Sequence, residues 1–583
     1  MMKEKKKALL SGNEAVARGA YEAGVEIAAA YPGTPSTEIM ENIATYDEMY
    51  AEWSVNEKVA FEVAYGAAIS GRRALAAMKH VGVNVAADAL MTSAYTGANA
   101  GFVLVVADDP GMHSSQNEQD SRFYGRFAQI PVLEPSDSEE ARIMTKLAFD
   151  ISEEFDTPVL VRMCTRICHG KSVVHLEDRQ EQEPRKYAKE PKKYVMVPAH
   201  ARGRHEVLKD RVSKLKKYTE TCPVNKIENG TQDIGIITGS ASYQYAKEVF
   251  PDASFLKIGL AYPLPLDTIR SFIDSHKTVY VIEELEPYIE DQLKAAGMHV
   301  IGKDLLPDTG EYSPTLLREK LTDQQAALDK SQPGGLPGRP PVMCAGCPHR
   351  AVFAMLRKLK AVVSGDIGCY TLSTLPPLNT MDSCLCMGAS LGLAQGMGRA
   401  LTGRKAGRVV GVLGDSTFIH SGIPSLVNAV YNKAPVTIVI LDNRITAMTG
   451  HQENPGTGKT LKGDDATEFD FAAVSKAIGA GYVATVDPID IKATEKALSE
   501  AMDFEGASVV VAKRPCALVD RGQFTGVMRI DPDKCNMCQR CLLVGCPSIS
   551  QQDSLLRIDP DMCFGCSLCM QVCTHDAIER VNR

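Results

Sequence analysis

A single tryptophan among 583 residues, with aromatics at only 6%, leaves no aryl-binding pocket that can be read from the residues alone. Long apolar runs are also missing: no window approaches the roughly 18 uncharged apolar residues of a membrane span. The basic start, MMKEKKKALL, offers only Ala8, Leu9 and Leu10 before polar residues return, too short for a signal-peptide core. A net charge of −8 is modest for this length and argues for neither nucleic acid nor an anionic membrane. These absences point to a cytoplasmic protein with no nucleic-acid or membrane partner, and the length suggests roughly three to five domains.

Cysteine, by contrast, is plentiful. The 17 thiols are an odd number, so a complete disulfide framework within one chain is impossible. Clustered thiols in a reducing compartment mean metal or redox chemistry. Eight of them fall in two boxes near the C-terminus. RIDPDKCNMCQRCLLVGCP supplies Cys535, Cys538, Cys541 and then Cys546; RIDPDMCFGCSLCMQVCT supplies Cys563, Cys566, Cys569 and then Cys573. Three thiolates at C-x2-C-x2-C spacing wrap one [4Fe-4S] cubane, while the fourth reaches across to the other cluster. That crossing predicts one cluster on Cys535, Cys538, Cys541 and Cys573, and a second on Cys563, Cys566, Cys569 and Cys546. Zinc prefers paired C-x2-C ligands in tetrahedral sets and fits a doubled triplet poorly. The first box has one residue more before its fourth cysteine, which leaves open a three-iron cluster at Cys546, and Thr574 stands where a proline is usual. Residues 526–583 resemble a bacterial two-cluster ferredoxin.

Clusters relay electrons, so a donor is needed upstream. RVVGVLGDSTFIHSGIPSLVNAVYNKAPVTIVILDN contains two apolar β-rich runs around a helical segment, a β-α-β unit whose strand ends are the usual binding edge of a parallel sheet. Asp415 follows one run and Asn443 the other. Mg²⁺ wants hard oxygens, commonly one or two carboxylates completed by phosphates and water. Asp415, Asn443 and the carbonyl of Ile445 could supply three, a bound diphosphate the rest.

Here the sequence resembles the thiamin-diphosphate enzymes, whose magnesium signature is Gly-Asp-Gly followed by Asn; Gly414, Asp415 and Ser416 occupy the first three positions, with Ser416 in place of the second glycine. The resemblance implies a second half with a carboxyl that activates the aminopyrimidine ring. AEWSVNEKVAFEVAYGAAISGRRAL matches that helix and puts Glu57 at the activating position, with Glu62 as the alternative. Upstream, AYPGTPSTEIME resembles the first domain of the 2-oxoacid:ferredoxin oxidoreductases, which makes Thr34 a candidate substrate-side hydroxyl; Ser36-Thr37-Glu38 reads as a helix start. MCAGCPHR and SGDIGCYTL resemble that family's thiamin subunits, whose cysteines hold a cluster near thiamin. Cys344, Cys347 and Cys369 match, and Cys516 stands where a fourth ligand is expected, leaving open whether there is a third cluster. His420 and His451 lie beside the magnesium motifs as candidates for proton movement or contact with the substrate carboxylate.

Taken over its full length, the chain resembles the alpha subunits of indolepyruvate:ferredoxin oxidoreductases. The fold this implies is α/β and multidomain: a doubly wound, pyrimidine-binding-type thiamin domain at 1–180, a middle α/β domain of the transketolase C-terminal type at 195–325, a diphosphate- and magnesium-binding thiamin domain at 341–525, and a ferredoxin-like domain at 526–583. A charged stretch at 177–194 and a Pro/Gly-rich one at 332–341 read as linkers. The implied reaction is oxidative decarboxylation of an aryl 2-oxoacid to acyl-coenzyme A and CO₂. Electrons leave through the clusters to ferredoxin, and a smaller beta subunit joins in a heterodimer or α2β2 assembly. Pyruvate or a branched 2-oxoacid as substrate remains open. So does an electron-transfer subunit without its own thiamin site, which thiamin content would distinguish.

Overall fold

Strands buried on both faces read as unbroken apolar runs, and a computed structural model, describing residues 6–322, 338, 340–405, 407–552 and 554–582, forms them at each such run. The chain divides into two compact units, Met1–Gln332 and Pro333–Arg583; most of the Pro/Gly-rich boundary at 332–341 lies outside the described residues.

In the first unit a seven-stranded sheet runs in the order Leu260–Tyr262, Val132–Leu133, Val159–Cys164, Phe102–Asp108, Ala74–Lys79, Ile27–Ala30, Tyr50–Trp53. All neighbours are parallel except the first pair. Alanine-rich strands such as IAAA and ALAAMK let the helix Glu57–Ile69 pack closely. A four-stranded sheet, ordered Thr278–Ile282, Ile234–Thr238, Ser254–Lys257, Lys226–Glu228, forms the middle region. That region also lends Leu260–Tyr262 to the edge of the larger sheet. Three residues are too few to announce themselves by periodicity, so this shared strand escapes the sequence reading. The charged stretch 177–194 is largely exposed coil, yet it is tied down by the Gln180 and Arg185 amides donating to the carbonyls of Glu22 and Gly71.

The second unit is built on six parallel strands in the order Met381–Ser383, Val362–Ser364, Val409–Gly414, Val436–Asp442, Ala507–Lys513, Tyr482–Val486. The chain reverses its winding direction between Val362–Ser364 and Val409–Gly414. Ligands of open α/β sheets gather beyond the carboxyl ends at such a switch point. Two hairpin-like pairs close the tail: Val527–Ile530 with Ile578–Val581, and Ile549–Gln552 with Leu555–Ile558.

The two RIDPD repeats fold alike. Asp531 N–H donates to Ala577 O and Cys535 N–H to Asp531 O; Asp559 N–H donates to Ser548 O and Cys563 N–H to Asp559 O. Among the described residues, no helix is long and apolar enough to cross a membrane.

Candidate functional site

At the switch point, strand Val409–Gly414 ends at Asp415, which opens a short helix, Asp415–Thr417, that runs on through a wider π-type turn into Ile423–Tyr431. Strand Val436–Asp442 ends at Asn443. The Asn443 side-chain amide lies 2.8 Å from the Ile445 carbonyl oxygen and 3.2 Å from Asp415 Oδ2; its oxygen faces both when a cation sits between them. Adjacent ligands in an Mg²⁺ octahedron are about 2.9 Å apart when the bonds are about 2.05 Å, so the two separations from Asn443 are those of neighbouring ligands on one cation. Turned over, the amide nitrogen would donate to both oxygens instead. The donor set is the hard-oxygen set that magnesium takes. Burial, and then the neighbouring Asp442, push the Asp415 carboxyl up to about 7, a cost that a cation would remove.

Two residues that the sequence reading did not single out shape this corner. Gly414 N–H donates to the Tyr370 hydroxyl at 2.9 Å, and that hydroxyl donates to Ile367 O at 3.0 Å. Asp366 accepts from the amides of Gly388 and Ser390 at 2.8 and 3.0 Å, tying the SGDIG loop to the start of helix Ala389–Ala400. Their one sequence signal is their position inside SGDIGCYTL, on either side of Gly368-Cys369.

The predicted histidines part company. His420 is buried in the π-type turn, with Nδ1 against the Ser421 hydroxyl. His451 is exposed, in left-handed backbone at φ 68°.

In the first unit, Glu57 opens helix Glu57–Ile69 and is 7% exposed, with Asn56 capping through Val59 N–H. A Cβ on Gly82 would lie 2.6 Å from Glu57 Cγ and 2.8 Å from its Oε1. The glycine is therefore what lets the carboxyl lie against helix His80–Thr96. Glu62 is exposed and paired with Lys58. The helix continues past Gly66 to Ile69. Thr34 is half-buried and accepts at its carbonyl from the Ser114 hydroxyl at 3.3 Å. Ser36 stands at the start of helix Thr37–Ile43 but does not cap it; its hydroxyl donates back to Gly33 O at 2.8 Å.

In the tail, Cys535, Cys538, Cys541 and Cys573 line one small cavity, and Cys546, Cys563, Cys566 and Cys569 line another. These are the two crossed sets expected from the spacing. The longer first loop, a 3₁₀ turn at Arg540–Val544 closed by Gly545 at φ 73°, still delivers Cys546 to the second cavity. Both loops alternate into left-handed backbone at equivalent places: Met537 and Gln539 at 59° and 61°, Gly565 and Ser567 at 75° and 64°. Such alternation turns successive amides toward a common anion. Cys563 Sγ accepts from the amides of Met528 and Gly565 at 3.3 and 3.4 Å. The Ser548 hydroxyl, 2% exposed, lines the second cavity without a partner among the described residues. An orphaned donor and inward amides suit a sulfur-rich anionic cluster. Among the described residues no three His, Cys, Asp or Glu side chains close on a point as a single ion requires.

The remaining quartet comes from three segments of the second unit. Burial and mutual proximity raise the thiols: Cys347 to about 12 beside Cys369 and Cys344, Cys369 to about 11 beside Cys344 and Cys516. The Cys516 amide donates to Asn443 O at 3.0 Å, which fixes this quartet to the strand end that carries the oxygen triad.

Family models match three stretches of the chain. Residues 18–233 match the family described as pyruvate flavodoxin/ferredoxin oxidoreductase, thiamine diP-binding. Residues 366–512 match the C-terminal TPP-binding domain of thiamine pyrophosphate enzymes, and 556–579 a 4Fe-4S binding domain. The indolepyruvate oxidoreductase subunit IorA of Thermococcus kodakarensis is 43% identical, with 98% of this chain and 96% of that one covered. Its counterpart from Pyrococcus abyssi is 42% identical, at 98% and 97%. A solved structure, 2-oxoglutarate:ferredoxin oxidoreductase from Magnetococcus marinus with 2-oxoglutarate, coenzyme A and succinyl-CoA bound, is 17% identical with a TM-score of 0.45, covering 51% of this chain and 62% of that one. Identity at this level along nearly the whole of both relatives places the chain in the indolepyruvate oxidoreductase subunit IorA family, as a thiamin-diphosphate-dependent 2-oxoacid:ferredoxin oxidoreductase with a 4Fe-4S segment for electron transfer.

Proposed function

We propose that this chain oxidatively decarboxylates an aryl 2-oxoacid, indolepyruvate or a related arylpyruvate, to the acyl-coenzyme A and CO₂, and passes the electrons singly to an external ferredoxin. The aryl preference is supported by the names of the relatives. The chemistry is carried by one observation above the others: the Asn443 side-chain amide lies 2.8 Å from the Ile445 carbonyl oxygen and 3.2 Å from Asp415 Oδ2, separations close to the edge length of a magnesium octahedron. Asp415 and Asn443 would hold the cation from their side chains, Ile445 from its carbonyl, with Gly414 and Ser416 flanking the diphosphate. Bound thiamin diphosphate supplies the nucleophile for the keto carbon and the electron sink for loss of CO₂.

Glu57, removed from water, holds the proton exchanged with the aminopyrimidine nitrogen; the surface pair Lys58–Glu62 has no comparable setting. Thr34 contributes a hydroxyl toward substrate, and His420, buried in the turn after Asp415, is the better placed of the two histidines to move a proton. The tail holds two [4Fe-4S] clusters on the crossed sets, and Cys344, Cys347, Cys369 and Cys516 hold a third. A smaller subunit completes the enzyme.

The test is a 2-oxoacid panel with the purified two-subunit enzyme, following reduction of ferredoxin. Indolepyruvate and phenylpyruvate should lead by at least about tenfold in kcat/KM, or about 1.4 kcal/mol of transition-state binding. Faster turnover of pyruvate or a branched 2-oxoacid would reassign the substrate, and a preparation free of thiamin would sink the reading.

A further inference from the structure

Among the described residues of the second unit, one buried arginine is left unused by the mechanism. Arg350, 2% exposed, lies in helix His349–Lys358, directly after the Cys344–Cys347 loop. Its Nε donates to Cys344 O at 2.9 Å, one terminal nitrogen to Met343 O and the other to Gly545 O, the residue before Cys546. It also lines the cavity ringed by Cys546, Cys563, Cys566 and Cys569. Every named partner is a neutral carbonyl, and among the described residues Arg350 makes no ion pair. Guanidinium cannot shed its charge in a protein, so a full positive charge is held against this cavity. Ser548, the orphaned hydroxyl, lines the same wall. The other tail cavity is flanked by Arg540 and His575, both exposed, where water and salt screen the charge.

We infer that Arg350 and Ser548 are positioning residues that raise the reduction potential of the cluster in the Cys546/Cys563/Cys566/Cys569 cavity and leave the other tail cluster untouched. Accepting an electron adds one negative charge to a cluster already anionic through its four thiolates. A dry cation and a hydroxyl hydrogen bond stabilise that added charge. Each transfer moves one electron between two iron–sulfur centres, and no bond or proton changes at Arg350. The carbonyl fork also fastens the Cys546 turn to the Cys344 loop, so the same side chain sets the potential and the spacing between neighbouring thiol groups.

The inference rests on the cluster assignments proposed above, and the experiment separates the two. Iron is counted first in the wild-type two-subunit enzyme; a tail without iron would sink those assignments before any variant is made. Redox titration followed by electron paramagnetic resonance then compares wild type with Arg350→Gln, Arg350→Lys and Ser548→Ala. With iron retained, R350Q should lower the reduced-to-oxidised ratio of one tail cluster at least about tenfold at fixed poise, equal to about 59 mV for one electron. The other should stay within about twofold. S548A should lower the same cluster about threefold, and R350K should stay within about threefold. Fully loaded R350Q with both potentials unchanged, or with both shifted equally, would overturn the inference. Should R350Q lose iron, R350K and S548A decide. Near-wild-type potentials in the first with a one-cluster shift in the second support it; any other pattern overturns it.

Discussion

The thiol groups of the tail and those of the diphosphate domain are built in opposite ways. Each tail cavity takes three cysteines from one loop and a fourth from the other, with backbone alternation at matched positions in both. The quartet Cys344, Cys347, Cys369 and Cys516 is gathered from segments up to 172 positions apart and held by the sheet. The oxygen triad and the Glu57–Gly82 contact are assembled in the same long-range manner. A local loop carries its ligands wherever it goes; an assembled site exists only while its scaffold does.

The largest break in that comparison is expected from Asp415→Ala. It should abolish turnover and thiamin binding, measured by cofactor content, while leaving the tail's visible absorption in place; retained turnover would reject the triad. Cys566→Ser should do the reverse, keeping thiamin and CO₂ release with an artificial acceptor but cutting ferredoxin reduction to background. Gly82→Ala adds a methyl where only 2.6 Å separates it from Glu57 Cγ. Displacement of a catalytic group by about 1 Å costs on the order of 100-fold in kcat, with thiamin still bound. Cys516→Ser should lower iron from about twelve to about eight per chain at four per cubane; a wild-type count of about eight would leave the quartet without a cluster, and a variant still at about twelve would remove Cys516 from its ligands. The smallest effect is on the two loops themselves. Met537→Gly, at φ 59° where the second loop has Gly565, should stabilise the tail by up to about 1 kcal/mol in denaturant titration, since left-handed backbone is costly for a residue with a Cβ.

Legibility followed the same division. The two tail thiol groupings were readable because they follow from spacing within the two boxes, and the strands of the second sheet because VVGVLG and VTIVILD are buried on both faces. The ends of those strands marked Asp415 and Asn443. What stayed hidden depends on contacts between distant positions: the Tyr370 hydroxyl on Gly414, Arg350 on the Gly545 carbonyl, and Gly82 beneath Glu57. No periodicity encodes these. Ser36-Thr37-Glu38 marked a true helix start, at Thr37, but that the Ser36 hydroxyl goes to the Gly33 carbonyl instead of capping the helix depends on the turn before it.

The strand Leu260–Tyr262, antiparallel to Val132–Leu133 at the margin of the first sheet, means that residues 1–180 are not a portable module. Expressed alone they would keep Val132–Leu133 paired with Val159–Cys164 but leave its outer edge open, without the strand that covers it, beside strands almost wholly apolar. An open border of that kind invites other chains to pair with it, so the fragment should precipitate where the longer piece through residue 322 stays dispersed.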